Sequence, residues 1–308
     1  MTLAISTSWN AYRFDDGEKL LFEISQLGFT AIELSFNLSS KMVDEIADSA
    51  PRLRISIGSL HNYCPVPDGL SRKQALPDYY SLSSLDKEER FLAVKYAKHS
   101  IDTANRLGAK VVVLHCGRVE VADCTRQLID LYNQGKNNSP EFLELKEKMI
   151  RERALESGKF LAQALISIEE LNAYALIKNV LLGIETRFYY REIPNLDEIG
   201  VILNKFNSGS QVYYWHDTGH AQLMENLGLA KHKDFLERYG QRLIGVHLHD
   251  ISGCQDHLAP LRGQIDFNIL KPYLKQSTLK VIEAHHPATA EELIKSRNFI
   301  SEIYNEPV

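Results

Sequence analysis

VYYWHDTGHA, residues 212–221, is the stretch whose reading decides the fold. Val212 to Trp215 is an apolar, β-rich run that ends in His216 and Asp217, and a helix-compatible segment follows at once. Taken alone, Asp217 reads as the N-cap of that helix. With His220 three residues on, it also reads as one of two side chains aimed at a cation. The rest of the chain separates these readings by repeating the pattern. Similar runs stand at 3–9 (LAISTSW), 31–35 (AIELS), 54–60 (RISIGSL), 110–116 (KVVVLHC), 180–186 (VLLGIET), 243–250 (LIGVHLHD) and 279–285 (LKVIEAH). Amphipathic segments lie between them. In 88–108, Val94, Ala97, Ile101, Ala104 and Leu107 follow helical spacing, and 142–178 is a long, charged, helix-forming block. Near the end, Leu293, Phe299, Ile300 and Ile303 share one helical face.

Eight apolar runs alternating with helices predict an α/β protein, a parallel sheet closed into a (β/α)8 TIM barrel, as a single domain over 1–308. A doubly wound open sheet is the rival, but no glycine-rich dinucleotide loop is present. Two segments exceed the minimal barrel, 61–84 and 117–141, and read as loop insertions on the C-terminal face; the second carries QGKNNSP.

Composition bounds the function. Of 308 residues 44% are hydrophobic and 24% charged, with a net charge of −5 and no basic stripe, which argues against a nucleic-acid partner. No apolar run approaches the roughly 20 residues of a membrane span. Met1-Thr2-Leu3-Ala4 opens a strand-like stretch rather than a signal peptide. Cys64, Cys116, Cys124 and Cys254 are far apart and form no CxxC, as suits reduced thiols in the cytoplasm. Apolar positions on the helices permit a homodimer.

Nine of the eleven histidines fall at or just beyond strand ends, with only His99 and His232 in helical or linker segments. In a barrel those ends form the active face. Glu185 and Glu283 end apolar strands, where a carboxylate is costly to bury unless paired or metal-bound. His247 and His249 alternate onto one face of their strand, and Asp250 ends it. Glu185, Asp217, His247 and Glu283 come from the ends of strands five to eight, so one metal can touch all four. His61 and His115, from strands three and four, can hold a second metal with Glu185 bridging. His220 and His257 remain for a third metal or for substrate. One to three divalent ions per chain are expected, with Zn²⁺, Mn²⁺, Mg²⁺ and Co²⁺ all compatible with this donor set.

HNYCP after strand three, LHCG, GIE, DTGH, HLHD, DHLAPLRGQID and VIEA, in this order, resemble the xylose isomerase-like TIM barrels. That superfamily includes sugar (phosphate) isomerases and epimerases and the endonuclease-IV-type AP endonucleases (family 2). The resemblance implies a divalent-metal site at the C-terminal mouth, carried by His61, His115, Glu185, Asp217, His220, His247, His257 and Glu283. The chain also departs from the family. Gln255 stands where the trinuclear endonuclease site has a carboxylate, and Asp256 beside it needs a shifted loop to substitute. Leu261-Arg262-Gly263 replaces the usual G-E-G. Gly253 stands where ketose epimerases often carry an arginine, and Arg191 where they carry a glutamate.

The expected function is a metal-dependent isomerase or epimerase acting on a sugar or sugar phosphate through an enediolate. The resemblance implies that Glu185 and Glu283 flank the substrate, one removing the proton and the other returning it. His220 is expected on a substrate hydroxyl, Arg187 and Arg118 on a phosphate or carboxylate, and His249 as a further substrate contact. Tyr189 and Tyr190 either line the pocket or pack their loop. Alternatives are a multi-metal phosphodiester hydrolase of the endonuclease kind, a lyase of the inosose-dehydratase kind, and a non-catalytic metal-binding protein.

Overall fold

The computed structural model describes residues 3–304. Met1 and Thr2 of the expected N-terminal strand, and the last four residues of the expected domain, lie outside the described residues. Eight strands close a parallel barrel: β1 (Ala4–Ser6), β2 (Ala31–Leu34), β3 (Ser56–His61), β4 (Val111–Leu114), β5 (Leu181–Glu185), β6 (Val212–Asp217), β7 (Leu243–Leu248) and, closing onto β1, β10 (Leu279–Ile282). The intervening β8 (Asp250–Ser252) and β9 (Gln255–Leu258) form a small antiparallel hairpin outside the barrel.

Helices cover the barrel from outside: α1 (Gly17–Gln26), α2 (Ser40–Leu53), α3 (Lys87–Leu107), α4 (Thr125–Asn133), α5 (Pro140–Lys178), α6 (Leu196–Lys205), α7 (Thr218–Asn226), α8 (His232–Tyr239) and α9 (Ala290–Tyr304). Their ends follow local chemistry. Ser139 caps α5 ahead of Pro140 at its first turn, and Asn195 and Glu198 form a reciprocal capping box on α6. Gly108, with φ of 71°, stops α3 in the left-handed region. The C-terminal part of α5 is long and apolar enough by composition to cross a membrane; here Phe160, Ala164, Ile168 and Leu171 are buried against the barrel.

Two expectations need correction. Residues 117–141 are not simply an inserted loop: α4 occupies 125–133, and QGKNNSP makes the connection from α4 to α5. The seventh unit has no α-helix. Gly253, Pro260, Gly263 and Pro272 break the segment after β7, leaving the hairpin and one short 3-10 turn at Phe267–Leu270.

That segment is organised by the buried Asp250 carboxylate. Oδ1 accepts from the backbone N–H groups of Ile251 and Ile265, at 2.9 and 3.0 Å, and Oδ2 from those of Leu261 and Gly263, at 3.1 and 2.9 Å. A Cβ at Gly263 would strike the Ile251 carbonyl and the Asp250 carboxylate. Inside the barrel, Trp215 is fully buried among Ala4, Ala31, Val111, Val113 and Val281. Its ring lies over Gly245 on β7 and against Gly183 on β5, where a side chain would collide with it. Trp215 also meets the His247 ring edge-on at 5.0 Å and so floors the mouth of the barrel.

Candidate metal centre

The period of two along each strand sorts the polar residues at the mouth. On β6, Trp215 and Asp217 face inward, while Tyr214 and His216 face the helix layer. His216, expected at the mouth with the other strand-end histidines, instead belongs to a buried hydrogen-bonded chain. Gln222 Oε1 accepts from His232 Nδ1 (3.0 Å), which leaves His232 Nε2 to accept from His216 Nε2 (2.9 Å). His216 Nδ1 then accepts from the Tyr214 hydroxyl (2.7 Å), and that hydroxyl accepts from Thr186 (2.8 Å).

Four side chains converge where β5, β6, β7 and β10 end. Glu185, Asp217, His247 and Glu283 each bring a ligand-type atom within 4.8 Å of the others, and all four are buried. His247 Nδ1 lies 2.6 Å from Glu185 Oε1, 3.0 Å from Glu283 Oε2 and 3.7 Å from Asp217 Oδ2. Its Nε2 donates to Glu33 Oε1 at 3.0 Å, and Glu33 also accepts from the Ser59 hydroxyl at 2.7 Å. Burial works to lower the His247 pKa, but Glu283, Glu33 and Glu185 raise it well above the ordinary histidine value.

Three further arrangements adjoin this centre. His61, His115 and Glu185 bring one ligand atom each within 4.8 Å. His115 Nε2 lies 2.8 Å and His61 Nε2 3.7 Å from the same Glu185 oxygen. Burial and Arg187 push His115 down to about 3, so it is a neutral imidazole at neutral pH. His220 and His257 meet across Asp256: Asp256 Oδ2 is 3.8 Å from His220 Nε2 and 2.7 Å from His257 Nδ1. Finally, His257, Glu283 and His285 form their own close group, with the His257 and His285 rings stacked at 3.8 Å.

Asp217 satisfies both readings of its sequence. Oδ1 caps α7 by accepting from the His220 N–H at 2.8 Å, while Oδ2 faces His247. His220 donates Nδ1–H to the Thr186 carbonyl (3.0 Å), which leaves Nε2 facing the cavity.

The residues expected on substrate are placed differently. His249 is fully buried: Nδ1 accepts from the His257 N–H (2.9 Å) and Nε2–H donates to Asp217 (2.8 Å). Both nitrogens are used, so it stands behind Asp217 rather than against a substrate. Arg118 pairs with Glu120 (3.0 Å) and Asp78 (3.4 Å), outside the cavity lining. Arg187 does line the cavity, but its guanidinium is held between Glu185 (2.5 Å) and Glu192 (2.9 Å). Tyr189 lines the cavity too, whereas Tyr190 packs on Arg153. Arg191 points toward Asp123, and Gln255 is exposed.

Three contributors lie outside the ligand set expected from sequence. Glu33 sits inside the apolar run AIELS and carries the same signal as Glu185, a lone carboxylate in a buried strand. His285 gave only its place two residues after Glu283. Asp256 stands one residue beyond Gln255, out of step with the expected carboxylate position. The hairpin corrects that step, placing Asp256 between the two histidines with His257 at a left-handed φ of 52°.

The donor set fits a divalent cation. Glu33, Glu185, Asp217 and Glu283 are buried together, and the one guanidinium among them is shared with Glu192. Without an ion, a raised His247 and the Arg187 guanidinium are the positive charges set among these carboxylates, and the imidazole and carboxylate donors are of the type that holds a divalent cation. The mouth above them is a cavity of about 350 Å³, lined in part by His61, His115, Glu185, His220, Asp256 and Glu283.

Residues 21–302 match the family model described as xylose isomerase-like TIM barrel. Two uncharacterized proteins are similar in sequence. One is y4fM of Sinorhizobium fredii, 28% identical over 59% of this chain and 48% of its own length. The other is MJ1614 of Methanocaldococcus jannaschii, 23% identical over 72% of this chain and 68% of its own. The matched region thus spans about half the length of the first relative. Among solved structures, a D-tagatose 3-epimerase-like protein superposes with a TM-score of 0.69 at 19% identity, covering 99% of this chain and 97% of that one. D-psicose 3-epimerase from Clostridium cellulolyticum gives 0.67 at 15% over the whole of both chains. 3-keto-D-glucoside 4-epimerase from E. coli gives 0.67 at 14% over 98% and 99%. At these identities the likeness to the solved structures is one of fold. The closed barrel and the match over most of its length place the chain in the xylose isomerase-like TIM barrel family.

Proposed function

We propose that the protein is a divalent-metal-dependent isomerase or epimerase acting on a sugar, in the cytoplasm. The observation that carries this reading is the convergence of Glu185, Asp217, His247 and Glu283 at one buried point beneath an open cavity. A divalent ion held there would polarise the adjacent oxygens of an α-hydroxycarbonyl and so acidify its carbon-bound proton. Glu185 and Glu283, from either side of His247, then serve as the pair that removes that proton and returns it. His220 offers Nε2 to a substrate hydroxyl, since its Nδ1 is committed to Thr186. Arg187 fixes the Glu185 carboxylate, and Trp215 closes the barrel to water from below. The sugar epimerases among the structural relatives support this choice of chemistry.

A phosphodiester hydrolase is the second reading. It is favoured by the additional groups His61, His115 with Glu185 and His220, His249, His257, the latter with Asp256 beside it, which would accommodate further ions. Against it, Arg187 is the one guanidinium or ammonium group lining the described cavity, and it is already paired. Incubation of the metal-loaded protein with a ketose panel and, separately, with abasic-site DNA tests both. Epimerisation that is lost in Glu283→Gln supports the first reading. Nicking of the DNA without sugar turnover overturns it.

A further inference from the structure

A second cavity of about 380 Å³ opens on the same face, beside the first, between the β8–β9 hairpin and the segment leading into α9. The two meet at Asp256, His257 and His285, which line both. Each is large enough for a small ligand, typically roughly 300 Å³ or more. We propose that the substrate is a composite, uncharged sugar, a glycoside or disaccharide, whose reacting unit sits at the metal centre and whose second unit fills this annex. The proposal rests on the sugar reading above and names its substrate class.

The lining chemistry selects an uncharged ligand. Arg262 is neutralised by Glu292 at 2.9 Å. The N-terminus of α9 is closed by its own side chains: the Thr289 N–H donates to Glu292 (2.8 Å), and the Glu292 N–H donates to Thr289 Oγ1 (3.2 Å). This capping box takes the place an anion would need at the helix end. Ser252 and Gln255 supply exposed hydroxyl and amide groups, and Pro287 and Ala288 supply apolar surface. Hydrogen-bonding groups beside apolar surface match the alternating O–H and C–H faces of a sugar ring. At the junction, His285 Nε2 is buried with no protein partner, leaving one hydrogen bond for a bridging oxygen between the two units.

The test is calorimetric titration of the metal-loaded protein with D-fructose and with ketose-ended disaccharides of both linkage senses, lactulose and isomaltulose. At least one disaccharide is expected to bind about tenfold tighter than fructose or better. Ser252→Trp and Gln255→Trp, which fill the annex from its exposed rim, should cancel that gain and leave fructose binding unchanged. Disaccharides that bind no tighter than fructose, or a gain that survives both substitutions, overturn the proposal and leave the sugar reading standing. Failure of every sugar to bind overturns the sugar reading itself and this proposal with it.

Discussion

Glu33 on β2 reaches across the barrel to hold His247 on β7, its Oε1 3.0 Å from the imidazole Nε2. That contact turns Nδ1 toward Glu185 and Glu283 and fixes which nitrogen faces the centre. A carboxylate behind a ligating imidazole sets its tautomer and raises its basicity. Glu33→Gln keeps the side-chain size and removes the charge. Affinity for Zn²⁺ or Mn²⁺, measured by competition with a chelating dye, should fall about 10- to 100-fold with little change in far-UV circular dichroism. Unaltered affinity would show that Glu33 is only packing.

With the proposed ion bound among the same buried carboxylates, stability is expected to depend on it. Stripping the protein with a chelator should lower Tm, and adding back ion at about 100 times its Kd should restore roughly 2.7 kcal/mol. A Tm indifferent to both treatments would remove the case for a metal centre.

Asp250 holds four backbone N–H groups of the segment that carries Asp256 and His257. Asp250→Ala leaves those donors without their charged acceptor, at a cost of about 3 kcal/mol or more. Amide exchange should rise across 251–265 before the barrel strands are affected. Protection in that segment equal to the parent protein would contradict this role.

Gly245 gives Trp215 its place in the barrel. Gly245→Ala forces the indole toward the surrounding strands and should destabilise the fold by about 1–3 kcal/mol in urea unfolding. Wild-type stability would mean the lumen has room to spare.

His232 makes stability fall in mild acid. Burial pushes its pKa down to about 4 from 6.5, partly opposed by Glu225 and Asp217. The unfolded chain takes up this proton near pH 6.5 and the folded protein only near pH 4. The contribution is therefore complete above the first value and is lost as pH drops toward the second, on the order of 3 kcal/mol in all. The slope of unfolding free energy between pH 6.5 and 4 should flatten in His232→Gln. An identical slope in the variant would assign the acid sensitivity elsewhere.

The barrel was legible because its signal is local. Each strand is a short, largely buried apolar run, and strands five to eight end in or just before residues that face the mouth, so Glu185, Asp217, His247 and Glu283 stand out one strand at a time. The sequence alone therefore determined the eight strands and their parallel order, and it marked Glu185, Asp217 and Glu283 as candidate carboxylates at the mouth. Other features depend on partners far away in the chain and were decided only by the tertiary structure. Glu33 gains its meaning from a residue 214 positions away, and His249 loses its place on substrate because the hairpin's backbone occupies Nδ1. Arg187 spends its charge on Glu185 and Glu192. Asp256 enters the site because a hairpin anchored by Asp250 replaces the seventh helix and shifts the spacing by one residue. Periodicity reports which face a side chain takes, whereas hydrogen-bond satisfaction and charge pairing are settled only when distant segments meet.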